Sequence, residues 1–134
     1  MLIDAHVHLL GIGDNGSGCV MSPRMQSSFI YRFMKRRLGL LDPRVDDGYL
    51  DLLLRSKRAS RFDRIVLFAQ DGVYDRRGVR EEFGTHLYVP NDYVLRVVRE
   101  HPGYFWACAS INPSRRDAMD ELDRVVALDR KSVV

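Results

Sequence analysis

The residues best suited to chemistry lie within the first eight. Asp4, His6 and His8 alternate with Ile3, Ala5 and Val7. Side chains leave a strand on alternate faces. A strand here therefore sends both imidazoles to one side, with Asp4 behind them, and leaves an apolar side for a core. Two neutral imidazoles one pleat apart can reach the same divalent cation, at Zn–N distances of about 2.0–2.1 Å. Asp4 would either steady a ligand or hold its own chain in place. The plainer alternative is two polar residues near an exposed N-terminus. Asp71, just past an apolar run at 64–69, and His86, inside a long segment at 73–89, are candidates to lie near a substrate. His86 is otherwise an ordinary surface histidine.

The elements that must position these groups follow from periodicity. After the first strand come four glycines within residues 11–18, a mobile, turn-rich loop. It lacks the Gly-Lys-Ser/Thr ending of a phosphate-binding loop. Residues 23–38 read as one helix, with Met25, Phe29 and Phe33 spaced by four and Ile30 and Met34 beside them. Arg32, Lys35, Arg36 and Arg37 make it basic, which is expected to be a solvated face rather than a membrane or nucleic-acid contact. Val45, Tyr49, Leu52, Leu53 and Ser56 predict a second helix reaching about Ser60. Residues 64–69 predict a strand buried on both faces. Asn91 or Asp92 is expected to cap a helix along Val94, Val97, Val98 and His101, stopped by Pro102-Gly103. A third strand is expected over 104–111. Asn112-Pro113 then opens a helix whose inner face is Ala118, Leu122, Val125 and Val126.

Strands alternating with helices predict an α/β fold with parallel strands joined by helical crossovers. His6, His8, Asp71 and Asn112 all fall at the C-terminal ends of the predicted strands. That is the ligand-binding edge of both doubly wound sheets and (β/α)8 barrels.

Composition narrows the class. The 134 residues are 46% hydrophobic and 29% charged, with a net charge of +3, the balance of one soluble globular domain. No apolar run nears the ~20 residues of a membrane span, and no basic-then-apolar leader opens the chain. Two cysteines without redox or metal spacing, Cys19 and Cys108, fit free thiols in a reducing, cytoplasmic setting. A small-molecule substrate is expected, with neither nucleic acid nor membrane as partner.

The stretch Ile3-Asp4-Ala5-His6-Val7-His8 resembles the first strand of the amidohydrolase superfamily of metal-dependent hydrolases. Residues 89–93, 101–105 and 107–113 resemble its amidohydrolase-related branch, which includes decarboxylases acting on aromatic and related acids. The resemblance runs from Met1 to about Leu128. It implies the N-terminal portion, about three β/α units, of a TIM-type (β/α)8 barrel over 1–128. His6 and His8 would be metal ligands, and the cofactor zinc, with manganese as the alternative. The family's remaining ligands (a Lys or Glu on the fourth strand, His on the fifth and sixth, a catalytic Asp on the eighth) have no counterpart here. The catalytic acid/base is therefore expected on strands this chain lacks. The chain alone is expected to be inactive, and the full-length parent could be an oligomer. Residues 129–134 read as a non-native tail, the translation of adapter sequence. The implied function is metal-dependent hydrolysis, a metal-activated water attacking a carbonyl-type substrate. The alternatives are a decarboxylase on the same fold and a non-catalytic binding domain.

Overall fold

The strand at the centre is β3, Arg64–Phe68, where Ile65 and Leu67 alternate with Arg64, Val66 and Phe68. It pairs in parallel with β1 (Ile3–His8) on one side and with β5 (Phe105–Cys108) on the other. The sheet order is β1-β3-β5. The computed structural model describes residues 1–40 and 42–130, the side chains of 129 and 130 excepted. The tail expected over 129–134 thus lies outside the described residues, apart from the backbone of 129 and 130. The other elements are β2 (Val20–Met21), α1 (Pro23–Gln26), α2 (Phe29–Arg37), α3 (Val45–Ala59), β4 (Leu87–Tyr88), α4 (Asn91–Glu100) and α5 (Ala118–Arg130). The chain is therefore α/β with a parallel three-stranded sheet, as its alternating pattern predicts. No helix among the described residues is long and apolar enough to cross a membrane.

The core lies on one side of that sheet. Leu53 and Leu54 of α3 and Val94 and Val97 of α4 bury Ile65 and Leu67 together with Phe105. Val66 and Phe68, on the other side, stay partly exposed. The expected strand buried on both faces is thus buried on one. The apolar run of β3 cannot distinguish these cases, because both place large side chains on both faces.

The glycine loop is tied down rather than free. Asp14 accepts hydrogen bonds from the Val45 and Asp46 amides at 2.6 and 3.1 Å, satisfying two orphan donors at the start of α3. Asp46 reaches back and accepts from the Ile12 amide (2.6 Å), the Gly13 amide (3.1 Å) and the Ser17 hydroxyl (2.5 Å). Gly11 lets the loop close over this carboxylate. A Cβ there would sit 2.6 Å from Asp46 Oδ2 and 2.9 Å from Cys19 Sγ. Asp46 is fully buried, and burial pushes its carboxyl above the ordinary value even though the Ser17 hydroxyl and the two amides pull it down. Both cysteines are free; burial pushes the Cys19 thiol up to about 11.

Four helix expectations need correction. The single helix over 23–38 is two, because Ser22 and Ser28 each turn a hydroxyl onto the amide three residues ahead and so start a helix of their own. Neither Asn91 nor Asp92 caps α4; Pro90 occupies that position and Asn91 is the first helical residue. The Asn91 side chain instead receives the Ser110 amide at 2.9 Å and donates to Glu121 Oε1 at 2.8 Å. Asn112-Pro113 opens a turn, not a helix: Asn112 Oδ1 accepts from the Ser114 amide at 2.9 Å, and α5 begins only at Ala118. On α5 the buried positions are Glu121 and Val125, while Leu122 and Val126 are each 42% exposed. The long segment at 73–89 also carries β4, which pairs antiparallel with β2 to form a second, two-stranded sheet.

Two expected outcomes follow from these ties. Asp46→Ala strands three donors and should cost about 2–3 kcal/mol, against about 1 kcal/mol for Asp14→Ala at the cap, read from denaturant midpoints. Glu121 is held below its ordinary 4.5 chiefly by Arg124, 2.8 Å away, with Asn91 adding to the effect. A carboxylate with a lowered folded pKa contributes stability that is complete above the unfolded value and is lost as pH falls through the folded one. Glu121→Gln should therefore flatten the loss of stability below about pH 4.5 in acid titrations of the unfolding midpoint.

Candidate functional site

His6 and His8 flank Val7 in the last three positions of β1. Their Nε2 atoms are 3.0 Å apart. The ring centroids are separated by 4.9 Å and the planes inclined by 65°. Phe68, the last residue of β3, holds the pair from beside it. Its ring stacks on His6 at 4.5 Å and 18°, and meets His8 at 5.7 Å and 48°. The register explains the meeting. His8 lies beside Phe68, and Phe68 beside Cys108 of β5, so one row crosses all three strands at their C-terminal ends. The Tyr49 hydroxyl of α3 donates to the His8 carbonyl at 2.9 Å, fixing the end of β1 from the helix layer.

The alternation of β1 is not regular. Asp4 pairs with Ile65 and Val7 with Leu67, so β1 uses three steps where β3 uses two. Asp4 therefore falls in register with a core-face residue, not behind the imidazoles. Its carboxylate accepts from the His6 amide at 3.3 Å, which holds the chain locally. Ala5 is exposed, and only Val7 of the three alternating apolar residues packs against the core cluster. Such an irregularity re-aims side chains at a strand end, and periodicity alone does not reveal it.

Asp71 and His86 come together elsewhere, in a cavity of about 700 Å³ beyond the ends of β3 and β5 that Gln70, Thr85, Ser110 and Asn112 also line. The Asp71 carboxylate is heavily engaged there. Oδ1 accepts from the Gly72 amide (2.8 Å) and the Tyr74 hydroxyl (2.7 Å). Oδ2 accepts from the Asn112 amide (2.8 Å) and lies 3.4 Å from Arg115. With its side chain 4% exposed, Asp71 welds the loop after β3 to the loop after β5. Burial and the Asp71 carboxylate push the Tyr74 hydroxyl well above its ordinary value. Asp117 holds the Arg115 guanidinium firmly protonated. His86 is exposed, its Nδ1 3.0 Å from the Ser22 hydroxyl. The imidazole pair does not line this cavity, so the four sequence candidates fall in two places.

Three contributors escaped sequence reasoning. Phe68 reads from the sequence only as one hydrophobe of the run at 64–69, although its place at the end of the central strand marks it as a rim residue. Tyr49 reads only as part of a helical stripe. Arg115 has a local partner in Asp117, two residues on, but its approach to Asp71 is made by the fold.

The donor set bears on a metal. In tetrahedral zinc coordination with bonds of about 2.0–2.1 Å, two ligand nitrogens stand roughly 3.3–3.4 Å apart. The Nε2 pair is already close to that separation, and a small opening would admit a cation. No group of three or more His, Cys, Asp or Glu able to hold a metal occurs among the described residues. The pair could supply two nitrogen ligands. Without a cation, one Nε2 can donate to the other, according to tautomer.

Comparison with family models, curated proteins and solved structures found no match to this chain.

Phe68→Leu keeps the strand apolar but removes the stacked ring, an interaction worth about 0.5–1.5 kcal/mol. The His6 ring protons should move downfield and broaden in NMR spectra, whereas Phe68→Tyr should leave them near their original positions. Unchanged His6 resonances in Phe68→Leu would show that the ring does not hold the pair.

Proposed function

We propose that this chain contributes the first β/α units of a TIM-type (β/α)8 barrel of the amidohydrolase kind. In the intact protein, His6 and His8 would ligate a divalent cation, zinc or manganese, for hydrolysis of a small-molecule substrate with a carbonyl-type group. The observation that carries this reading is the convergence of the two Nε2 atoms to 3.0 Å at the C-terminal end of β1. The parallel order β1-β3-β5, with α3 and α4 in the crossovers, agrees with the repeat of such a barrel, and its chemistry takes place at that strand edge.

When bound, the cation would lower the pKa of a coordinated water toward ~7 and polarise the substrate carbonyl. The roles of this chain's residues follow from their positions. His6 and His8 each present a ring nitrogen, which must be unprotonated to bind. Phe68 would steady the pair, stacking on His6 and meeting His8 at a tilt. Tyr49 anchors the carbonyl of His8, and so the end of its strand. Asp71 keeps the neighbouring rim loops joined. Further ligands and the acid/base would come from strands beyond these three.

Zinc titration of the chain, followed by calorimetry and by the imidazole NMR signals, tests the assignment. The wild-type chain should bind weakly, with both histidine rings perturbed together. His6→Ala and His8→Ala should each weaken binding by at least about tenfold, the size that even loss of an outer partner produces. Unchanged affinity in both variants would overturn the reading.

A further inference from the structure

Helix α2 is turned the wrong way for a helix of a soluble core. Its large apolar residues face solvent: Phe29 is 81% exposed, Ile30 74%, Phe33 55% and Met34 45%. The side toward the body carries Tyr31, Lys35 and Leu38, all half-buried. Phe29 and Phe33 stack on each other at 6.2 Å across one turn, making a continuous apolar ridge. Arg32, Arg36 and Arg37 are exposed on the same helix, and Lys35 is paired with Asp42 at 2.5 Å.

The surrounding sequence is charged in one sense only. Residues 15–41 contain Arg24, Arg32, Lys35, Arg36 and Arg37 and not one Asp or Glu. These five cations exceed the whole-chain net of +3, so the rest of the protein is net negative. An apolar ridge with arginines about it has the composition of helices that lie in a lipid interface, where the apolar side enters the acyl boundary and the cations meet headgroup phosphates. Arginine stems can run along apolar surface while their heads stay with the charge. A second copy of the chain is disfavoured as the occupant, since a two-fold contact would set the same arginines against one another. Nucleic acid would use the cations but leaves the outward Ile30 and Met34 without a role.

We propose that α2 is a docking face for an anionic lipid surface, with Phe29, Ile30, Phe33 and Met34 entering the bilayer boundary and Arg32, Arg36 and Arg37 meeting the headgroups. This departs from the expectation, drawn from the sequence, that the basic run is simply solvated and that no membrane is a partner. It is independent of the imidazole pair.

Co-sedimentation of the full chain with phosphatidylcholine vesicles, with and without phosphatidylserine, tests it. The wild type should pellet with the phosphatidylserine vesicles only, and less as salt is raised. Phe29→Ser/Phe33→Ser and Arg32→Glu/Arg36→Glu/Arg37→Glu should each reduce partitioning by at least about tenfold. All five side chains are exposed, so circular dichroism should match the wild type. Absence of pelleting with either vesicle overturns the proposal, as does pelleting that survives loss of both phenylalanines. Failure to bind vesicles, together with self-association in sedimentation velocity that Phe29→Ser/Phe33→Ser abolishes, would assign the ridge to a second copy instead.

Discussion

The constraint on which the rest depends is the parallel pairing of β3 with both neighbours, regular along β5 and shifted by one residue within β1. Parallel strands require long crossovers, and α3 and α4 occupy them. Both helices pack on the face that holds Ile65 and Leu67. Strand alternation then leaves the other face to Val66 and Phe68, and the register sets His8 and Cys108 on either side of Phe68. The imidazole pair thus owes its position to where the core is. A shift of one residue in β3 would send Phe68 into the core and take the stacking partner away from His6.

Sheet register alone would not keep the rim in place, because the strand ends give way to loops. Three buried polar ties do that. Asp46 binds the glycine loop to the start of α3, Asp71 joins the loops after β3 and β5, and Asn91 at the start of α4 joins the loop after β5 to Glu121 of α5. Each resolves the same difficulty: backbone amides at a helix start or strand end would lose water without gaining a partner. The Asp46 carboxyl is pushed up by the burial this requires, and the three donors around it offset that cost only in part. The loops after β1, β3 and β5 are therefore each tied by at least one buried side chain.

The sequence made the repeated units legible because they rest on periodicity. The strands at β1, β3 and β5 and the helices α3 and α4 all stand where alternation or a 3.6-residue stripe placed them. The pairing of His6 with His8 on one side was legible for the same reason. What was not legible depends on partners distant in sequence. The irregularity in β1 appears only against the spacing of β3. Asn91 looked like a cap because its type favours caps, yet Ser110 and Glu121 recruit its amide. Asn112 does make the local turn its type suggests, and the helix simply starts later. Strands of two residues, such as β2 and β4, carry too little pattern to be seen.

Helices α2 and α4 show the deepest limit on such inference. Both are amphipathic, and either could be laid on a sheet by its apolar stripe. In α4 that stripe, with Val94 and Val97, is buried, while in α2 the phenylalanines point outward. Amphipathicity says that a helix has two faces and leaves open which one the fold will cover. The difference lies in the connections. α4 runs into β5 through the short turn at Pro102-Gly103 and must lie against the sheet, whereas α2 belongs to an excursion between β1 and α3 whose core contact is left to α3. Lys35 and Tyr31 mark the inward side of α2 because Asp42 supplies a charge there and the loop supplies cover. An exposed ridge of this kind is then a statement about surroundings outside the chain, since contiguous apolar surface left on a folded domain marks a site of contact more often than an accident of packing.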